Sequence, residues 1–441
     1  MAMFVILLVV YTASIDIRAT RGASITGDEP FYLLTTQSLW HDGDLDLTQQ
    51  YERRSYRFFF DHPDGLWRQS VPLENGVLLS PHNTGLSILL LPGLRYGGLV
   101  GVQAQLLVLA ALTFALTYVF TARITGHALW SWLATLAVAA SATAFIYSTE
   151  VYPEVPGALA VVGSLLLLHT SRPLGIGRAV LLAVLLTCLM WLSVKYAPLA
   201  GLLAVWFLFK ASPRARFVLL LAGAVSGGYY AWFHLHTFGY LTPYSVGAVY
   251  AMDGTLDVVG QHLAFIERFY RLWGLFIDER FGAGRWAPIL LAAVPALPLL
   301  WRANGTFRLV LLLVLSQLGV ATFVNITMMG WWFPGRTLMV VLPLLAVPLA
   351  LLASKAPLWG RVVLGLLSLY AVAITAALAM AGHAREVVIA VDPFDMQAGV
   401  FQGVAFLFPN YMSWSAGTVV LSVMWVLILV AAAIAIYRLG A

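Results

Sequence analysis

The chain has 441 residues, of which 61% are hydrophobic and only 10% charged, with a mean hydropathy of +0.86. Soluble domains are nearer half apolar and a quarter charged, so this composition excludes an ordinary soluble enzyme and implies one polytopic membrane domain, 1–441. The net charge of +5 is scattered over short loops, which argues against a nucleic-acid partner, and a lone cysteine, Cys188, can form no intrachain disulfide.

The first apolar run, Met3 to Ile17, lacks a basic leader and has a weak cleavage motif, so it reads as a retained helix. A polar block, 18–82, follows and forms the first outer loop. Within it, Gly27-Asp28-Glu29-Pro30 precedes "FYLLTTQSLW". Proline favours the first position of a helix, which makes Glu29 the expected N-cap and sets Asp28 just ahead of a helix lying along the membrane. A carboxylate near free helix amides stays ionised and can accept a proton from a hydroxyl. The same spacing also fits a plain helix cap. Asp42, Asp44 and Asp46 come after that helix and are expected to end it in solvent. The stretch "NTGLSILLLPGL", 83–94, is too short to span and holds Pro92, so it reads as an interfacial or re-entrant helix.

Further spans are expected over 99–121, 130–147, 154–170, 178–194, 197–210, 217–234, 286–301, 309–325, 337–353, 362–381 and 417–437. With the first helix that makes about twelve. Alternate connections are short and basic: Arg123; Arg172 and Arg178; Lys210, Arg214 and Arg216; Arg302 and Arg308; Lys355 and Arg361; Arg438. The positive-inside rule assigns that side, with both termini, to the cytoplasm. The other connections (18–82, the Glu150–Glu154 turn, 235–285, 326–336 and 382–416) then face outward, and they carry the unusual chemistry.

Four outer segments follow the acidic one. "STEVYPEVPGAL" places Glu150, Tyr152 and Glu154 in a turn, as caps or as metal and substrate ligands. "WLSVKYAPLA" puts Lys195 and Tyr196 on the side that the positive-inside bias disfavours for lysine; it either snorkels or holds a phosphate. The second large outer loop, 235–285, contains "FGYLTPYSVGAVY" and leads into "LWGLFIDERFGAGRWAPILL", with Asp278, Glu279, Arg280 and Arg285. In "MMGWWFPGRTLMVVLPLL", Arg336 opens a span where the helix dipole is unfavourable to a cation, so an anion nearby is expected; Trp331 and Trp332 fit an interfacial aromatic belt. There is no GxxxxGK[ST], GxSxG, HExxH or CxxC motif, so an activated substrate would have to arrive on a lipid.

Taken in order, these segments resemble the GT-C glycosyltransferases, in particular relatives of protein O-mannosyltransferases and lipid A aminoarabinose transferases. The resemblance implies an all-α GT-C fold with juxtamembrane helices in the first outer loop, and a polyprenyl-phosphate sugar donor. It also implies transfer with inversion at the extracytoplasmic face of the cell membrane. It implies Asp28 as general base with Glu29 as its paired acid, and Arg336, Lys195 and Arg285 as donor-phosphate ligands. Tyr152, Glu154, Tyr196 and Trp332 become substrate contacts. Several relatives have a lysine where this chain has Pro81-His82-Asn83-Thr84, leaving His82 or Asn83 as weaker phosphate or substrate contacts. Some relatives use a divalent cation, for which Asp28 and Glu154 would be the ligands. The acceptor is a lipid, glycan or protein. A lipid-linked sugar flippase or transporter is the rival class; it predicts ionisable residues at mid-bilayer and internal repeats, whereas these helix interiors are almost charge-free. A non-catalytic scaffold would not need acids, Lys195 and Arg336 on one face.

Overall fold

In lipid a backbone must satisfy its own polar groups, and a helix does so within one segment. The computed structural model describes residues 1–170, 173–303 and 305–439; Arg172 of the basic loops lies outside them. The first outer block and its neighbours supply α1 (Ala2–Thr12), α2 (Glu29–His41), α3 (Thr48–Glu52), α4 (Thr84–Leu89) and α5 (Leu91–Thr125). The middle supplies α6 (Ala128–Ala139), α7 (Ala142–Tyr147), α8 (Glu154–Leu168), α9 (Ile176–Leu192), α10 (Ala197–Lys210) and α11 (Pro213–Phe238). Then come the short α12 (Thr255–His262), α13 (Arg271–Ile277) and α14 (Ala283–Trp286), followed by α15 (Leu290–Ala296), α16 (Leu299–Arg302) and α17 (Gly305–Gly319). The chain ends with α18 (Ala346–Lys355), α19 (Leu358–His383), α20 (Gly399–Gln402) and α21 (Ala416–Leu439). Among the described residues there is no β-strand, only isolated bridges at Ser70–Gly247 and Leu174–Ala211. The architecture is that of an all-α membrane protein.

All the apolar segments are helical, but not all are single rods. Among the described residues five helices are long and apolar enough to cross a membrane: α5, α11, α17 with the π turn after it, α19 and α21. The segment 130–147 breaks at Ser141, whose side chain accepts the Ala144 amide and starts α7 afresh. Pro295 and Pro298 lie where 286–301 divides into α15 and α16, because proline removes a helix donor. The re-entrant stretch is α4 plus the head of α5, which kinks at Gly98 (φ 57, ψ −145). Helix α5 is central and packs on α1, α6, α8 and α18. At the other extreme, α21 is scarcely covered by the protein and leaves Val419, Val420 and Leu427 exposed, as a lipid-facing helix does.

Helix α2 differs from the expected surface helix. Residues Glu29 to Ser38 are all buried, and the helix is wedged against α4 and α5. Its N-cap position falls on Asp28 rather than Glu29, and the Asp28 side chain makes no cap bond. The three later acids do tie up the end of α2. Asp44 accepts from the Ser38 hydroxyl (2.8 Å), Asp42 accepts from Gln50, and Asp46 accepts the Thr48 amide (3.0 Å) and the Leu78 amide (3.0 Å). The first outer block is stitched to the second outer loop by Val71 N–H to Val246 O (3.0 Å) and Ala248 N–H to Gln69 O (2.8 Å).

Candidate functional site

The residues of interest sit at helix ends. Glu154 is the first residue of α8; Lys195 and Tyr196 occupy the 3-10 turn between α9 and α10. Asp28 heads α2 and Arg336 opens the 3-10 turn that leads toward α18. The basic residues Lys210 and Lys355 sit at the far ends of α10 and α18, so site and basic loops occupy opposite ends of these helices.

Arg336 is placed by its own turn. Gly335 adopts φ 89, and a Cβ there would meet Thr143 at 2.7 Å, so only glycine fits. Helix α7 holds this turn: the Thr143 hydroxyl donates to Pro334 O (3.2 Å) and the Tyr147 hydroxyl to Phe333 O (2.5 Å). The guanidinium lies on the Tyr152 ring, 3.7 Å from its centroid, with Trp332 5.2 Å away. It donates from Nη2 to Asp28 Oδ2 (2.8 Å) and from Nε to Glu154 Oε1 (3.1 Å). One cation therefore bridges two acids, and Nη1 has no partner among the described residues.

A relay supports Asp28 from the other side. Gln69 Nε2 donates to Asp28 Oδ1 (3.2 Å), which turns Gln69 Oε1 toward His82 Nε2 at 2.7 Å. The histidine must then carry its proton on Nε2. Its ring stacks on Tyr32, centroids 4.8 Å apart. Burial is the main reason that the His82 pKa falls to about 4, opposed by Asp28 and assisted by Arg336 and Lys195, so the ring is neutral at pH 7. Burial also works against ionisation of Asp28, but Arg336, His82 and the hydrogen bonds from Arg336 and Gln69 outweigh it and hold the carboxyl well below the usual range.

Glu29 does a different job. Its Oε2 accepts the Thr26 amide (2.9 Å) and its Oε1 the Val151 amide (2.9 Å), joining the start of α2 to the turn before α8. Burial raises its pKa above the ordinary glutamate value against the pull of those two amides. The crossing point is tight. Gly27 has φ 59, and a Cβ there would lie 2.9 Å from Trp331 O and 3.0 Å from the Tyr152 hydroxyl.

Asp28, His82, Glu154, Lys195, Tyr196, Trp332 and Arg336 line one cavity of about 270 Å³. Lys195 has no carboxylate within ion-pair distance among the described residues; its ammonium faces the Tyr244 ring at 5.6 Å. Burial lowers the Lys195 pKa, with Arg336 adding to the effect and Asp28 and Glu154 opposing it. Tyr152 lies beneath Arg336. Four of the residues named from sequence, Glu29, Tyr152, Asn83 and Arg285, do not line the cavity. Asn83 is buried and donates to the Tyr230 hydroxyl (3.0 Å). Arg285 lies in a second recess, where it donates to Glu279 O and Phe401 O and stacks on Phe401 at 3.7 Å. It ties the loop before α14 to the segment around α20. Asp28 and Glu154 do not fit a divalent cation in this arrangement: Arg336 already bridges them, and among the described residues no group of three or more metal-ligating acids, histidines or cysteines is present.

Sequence reasoning missed Gln69, Tyr244, Tyr250, His262, Gln317 and Asn325, which also line the cavity. Tyr244 and Tyr250 lie in the quoted "FGYLTPYSVGAVY" segment; the others carry no local pattern. The Tyr250 hydroxyl meets His262 Nε2 at 2.6 Å.

No protein-family profile and no curated protein matches the chain by sequence. By structure it is similar to ArnT from Cupriavidus metallidurans, in a crystal structure bound to undecaprenyl phosphate. The TM-score is 0.54 at 12% identity, over 99% of this chain and 77% of that one. At that identity the likeness shows the fold alone: this chain shares the all-helical membrane fold of that structure.

Proposed function

We propose that this protein is an integral-membrane glycosyltransferase that moves a sugar from a polyprenyl phosphate to an acceptor hydroxyl on the extracytoplasmic face, with inversion. The observation that carries this reading is the meeting, in one cavity, of an ionised carboxylate and two cations with donors to spare, Arg336 Nη1 and Lys195 Nζ. The basic residues at the opposite helix ends support the outward facing of the site and cytoplasmic termini. The acceptor is a lipid, glycan or protein hydroxyl.

In the proposed step the acceptor oxygen attacks the anomeric carbon from the face opposite the phosphate. The carbon–oxygen bond to the lipid phosphate breaks, and the phosphate leaves with the electron pair. Its charge falls to Arg336 and Lys195. The hydroxyl proton passes to Asp28. Paired with Arg336, Asp28 is ionised but a weak base. An arriving phosphate competes for the guanidinium, loosens that pair and raises the basicity of Asp28, so donor binding prepares the base. Glu29, engaged with two backbone amides, holds the loop that presents Asp28.

The test is transfer from a radiolabelled polyprenyl-phosphate sugar in membranes carrying Asp28→Asn. A general base contributes about 10²- to 10⁴-fold, so a loss of that size is expected. Turnover at the wild-type rate in that variant removes Asp28 from the mechanism.

A further inference from the structure

A groove of about 330 Å³ lies between α6, α18 and α19 and shares no residue with the cavity of Asp28. Small residues make its floor: Ala134 and Ala137 of α6 and Ala353 of α18 are buried. Larger side chains flank it, with Leu133 42% and Leu369 68% exposed. Along α19 the lining extends from Arg361 to Val372. At about 1.5 Å per residue that is roughly 16 Å, or half of a ~30 Å hydrocarbon core, which is the depth of one leaflet. Among the described residues the lining holds one charged side chain, Arg361. It lies at the end where α18 finishes in Lys355, away from Asp28.

Arg361 is fixed in place but not used up. Its Nε donates to Ala353 O (3.1 Å) and its Nη2 to Ser354 O (3.2 Å), so the guanidinium covers the last carbonyls of α18. It also faces the Trp130 ring, 4.8 Å from its centroid. Nη1 has no partner among the described residues. The side chain belongs to the first turn of α19, where the helix dipole is unfavourable to a cation. Both α6 and α19 begin at this end without a side-chain cap. Each of these features favours an anion at the mouth of the groove. We propose that the groove is a lipid site that takes one anionic phospholipid, an acyl chain along α19 and the phosphate on Arg361 Nη1. The apolar groove accepts any chain, and the guanidinium selects the charge of the headgroup. The site does not depend on the glycosyltransferase reading.

The test is native mass spectrometry of the full-length protein, stripped of lipid and titrated with phosphatidylglycerol or with phosphatidylcholine of the same chains. The wild type is expected to hold its first phosphatidylglycerol about tenfold more tightly than its first phosphatidylcholine, the worth of one hydrogen bond to a charged group. Inorganic phosphate is expected not to displace it. Arg361→Gln is expected to remove the preference and leave phosphatidylcholine bound as before. Gly365→Leu fills the groove instead. Gly365 lines it, and a Cβ there meets nothing within 4 Å, so the change breaks no contact and replaces a poor helix former. It is expected to weaken the first lipid of either headgroup, and it tests the site even where Arg361→Gln fails to fold. Equal affinity for the two lipids in the wild type overturns the proposal. So do displacement by inorganic phosphate, a preference that survives Arg361→Gln, and unchanged lipid binding in Gly365→Leu.

Discussion

Arg336 binds two carboxylates at once and still keeps Nη1 for a third partner, and this sets the behaviour of Asp28 with pH. The Asp28 pKa is depressed, so the stabilisation from its pairing with Arg336 is present above the unfolded value of about 3.9 and is lost only as pH falls through the lower folded value. The base form persists over the same range. The acid limb of kcat/KM due to Asp28 is therefore expected below the ordinary aspartate range, giving a flat profile from neutral pH down to about pH 5. In Arg336→Gln the chief lowering influence is gone, burial dominates, and the limb is expected to move upward, with activity reduced. A pH–rate series on both proteins checks this. A wild-type limb near neutrality would point to a group with a raised pKa such as Glu29 as the base instead.

At the scale of elements, the site depends on short segments crossing at close range. The turn before α2, the turn before α8 and the "WWFPGR" turn meet at Gly27, where Trp331 O and the Tyr152 hydroxyl leave no room for a Cβ. Gly27→Ala is expected to combine a strained positive φ with that clash and to destabilise the protein by about 1–3 kcal/mol. Thermal unfolding in detergent would register it, together with a loss of activity larger than the loss of folded protein. An alanine variant with unchanged stability and activity would mean that the crossing is looser than described. These crossings also explain what the sequence could reveal. Asp28, Glu154, Lys195 and Arg336 stand out because a charge beside a membrane span is expensive and needs a reason. Gln69, Gln317 and Asn325 are neutral and common, and only the folded chain brings them to the cavity. Arg285 resembles Arg336 in its local setting, a glycine-rich turn before an apolar run. Its partner, however, is Phe401, more than a hundred positions away, a pairing with no local signature. The breaks at Ser141 and Pro295 were similarly hidden inside continuous apolar runs.

For the whole molecule, the apolar helical segments were legible because hydropathy is set by the lipid, whatever the tertiary packing, though among the described residues only five are single helices long enough to span. The burial of α2 was not, since Thr35, Thr36, Gln37 and Ser38 read as a solvent-facing side and nothing local shows α4 and α5 packing on the helix. The all-helical fold is shared with ArnT at only 12% identity. It leaves chemistry to be argued from the site. There Asp28, Arg336, Lys195, Gln317 and Asn325 line the same cavity. If this cavity receives a lipid-linked sugar with its phosphate on the two cations, a density map of the protein with a non-hydrolysable polyprenyl-phosphate sugar bound will have the phosphate against Arg336 Nη1 and Lys195 Nζ, the anomeric carbon facing Asp28, and an Asp28–Arg336 contact longer than 2.8 Å. Phosphate bound outside this cavity, with the Asp28–Arg336 pair undisturbed, would contradict that placement.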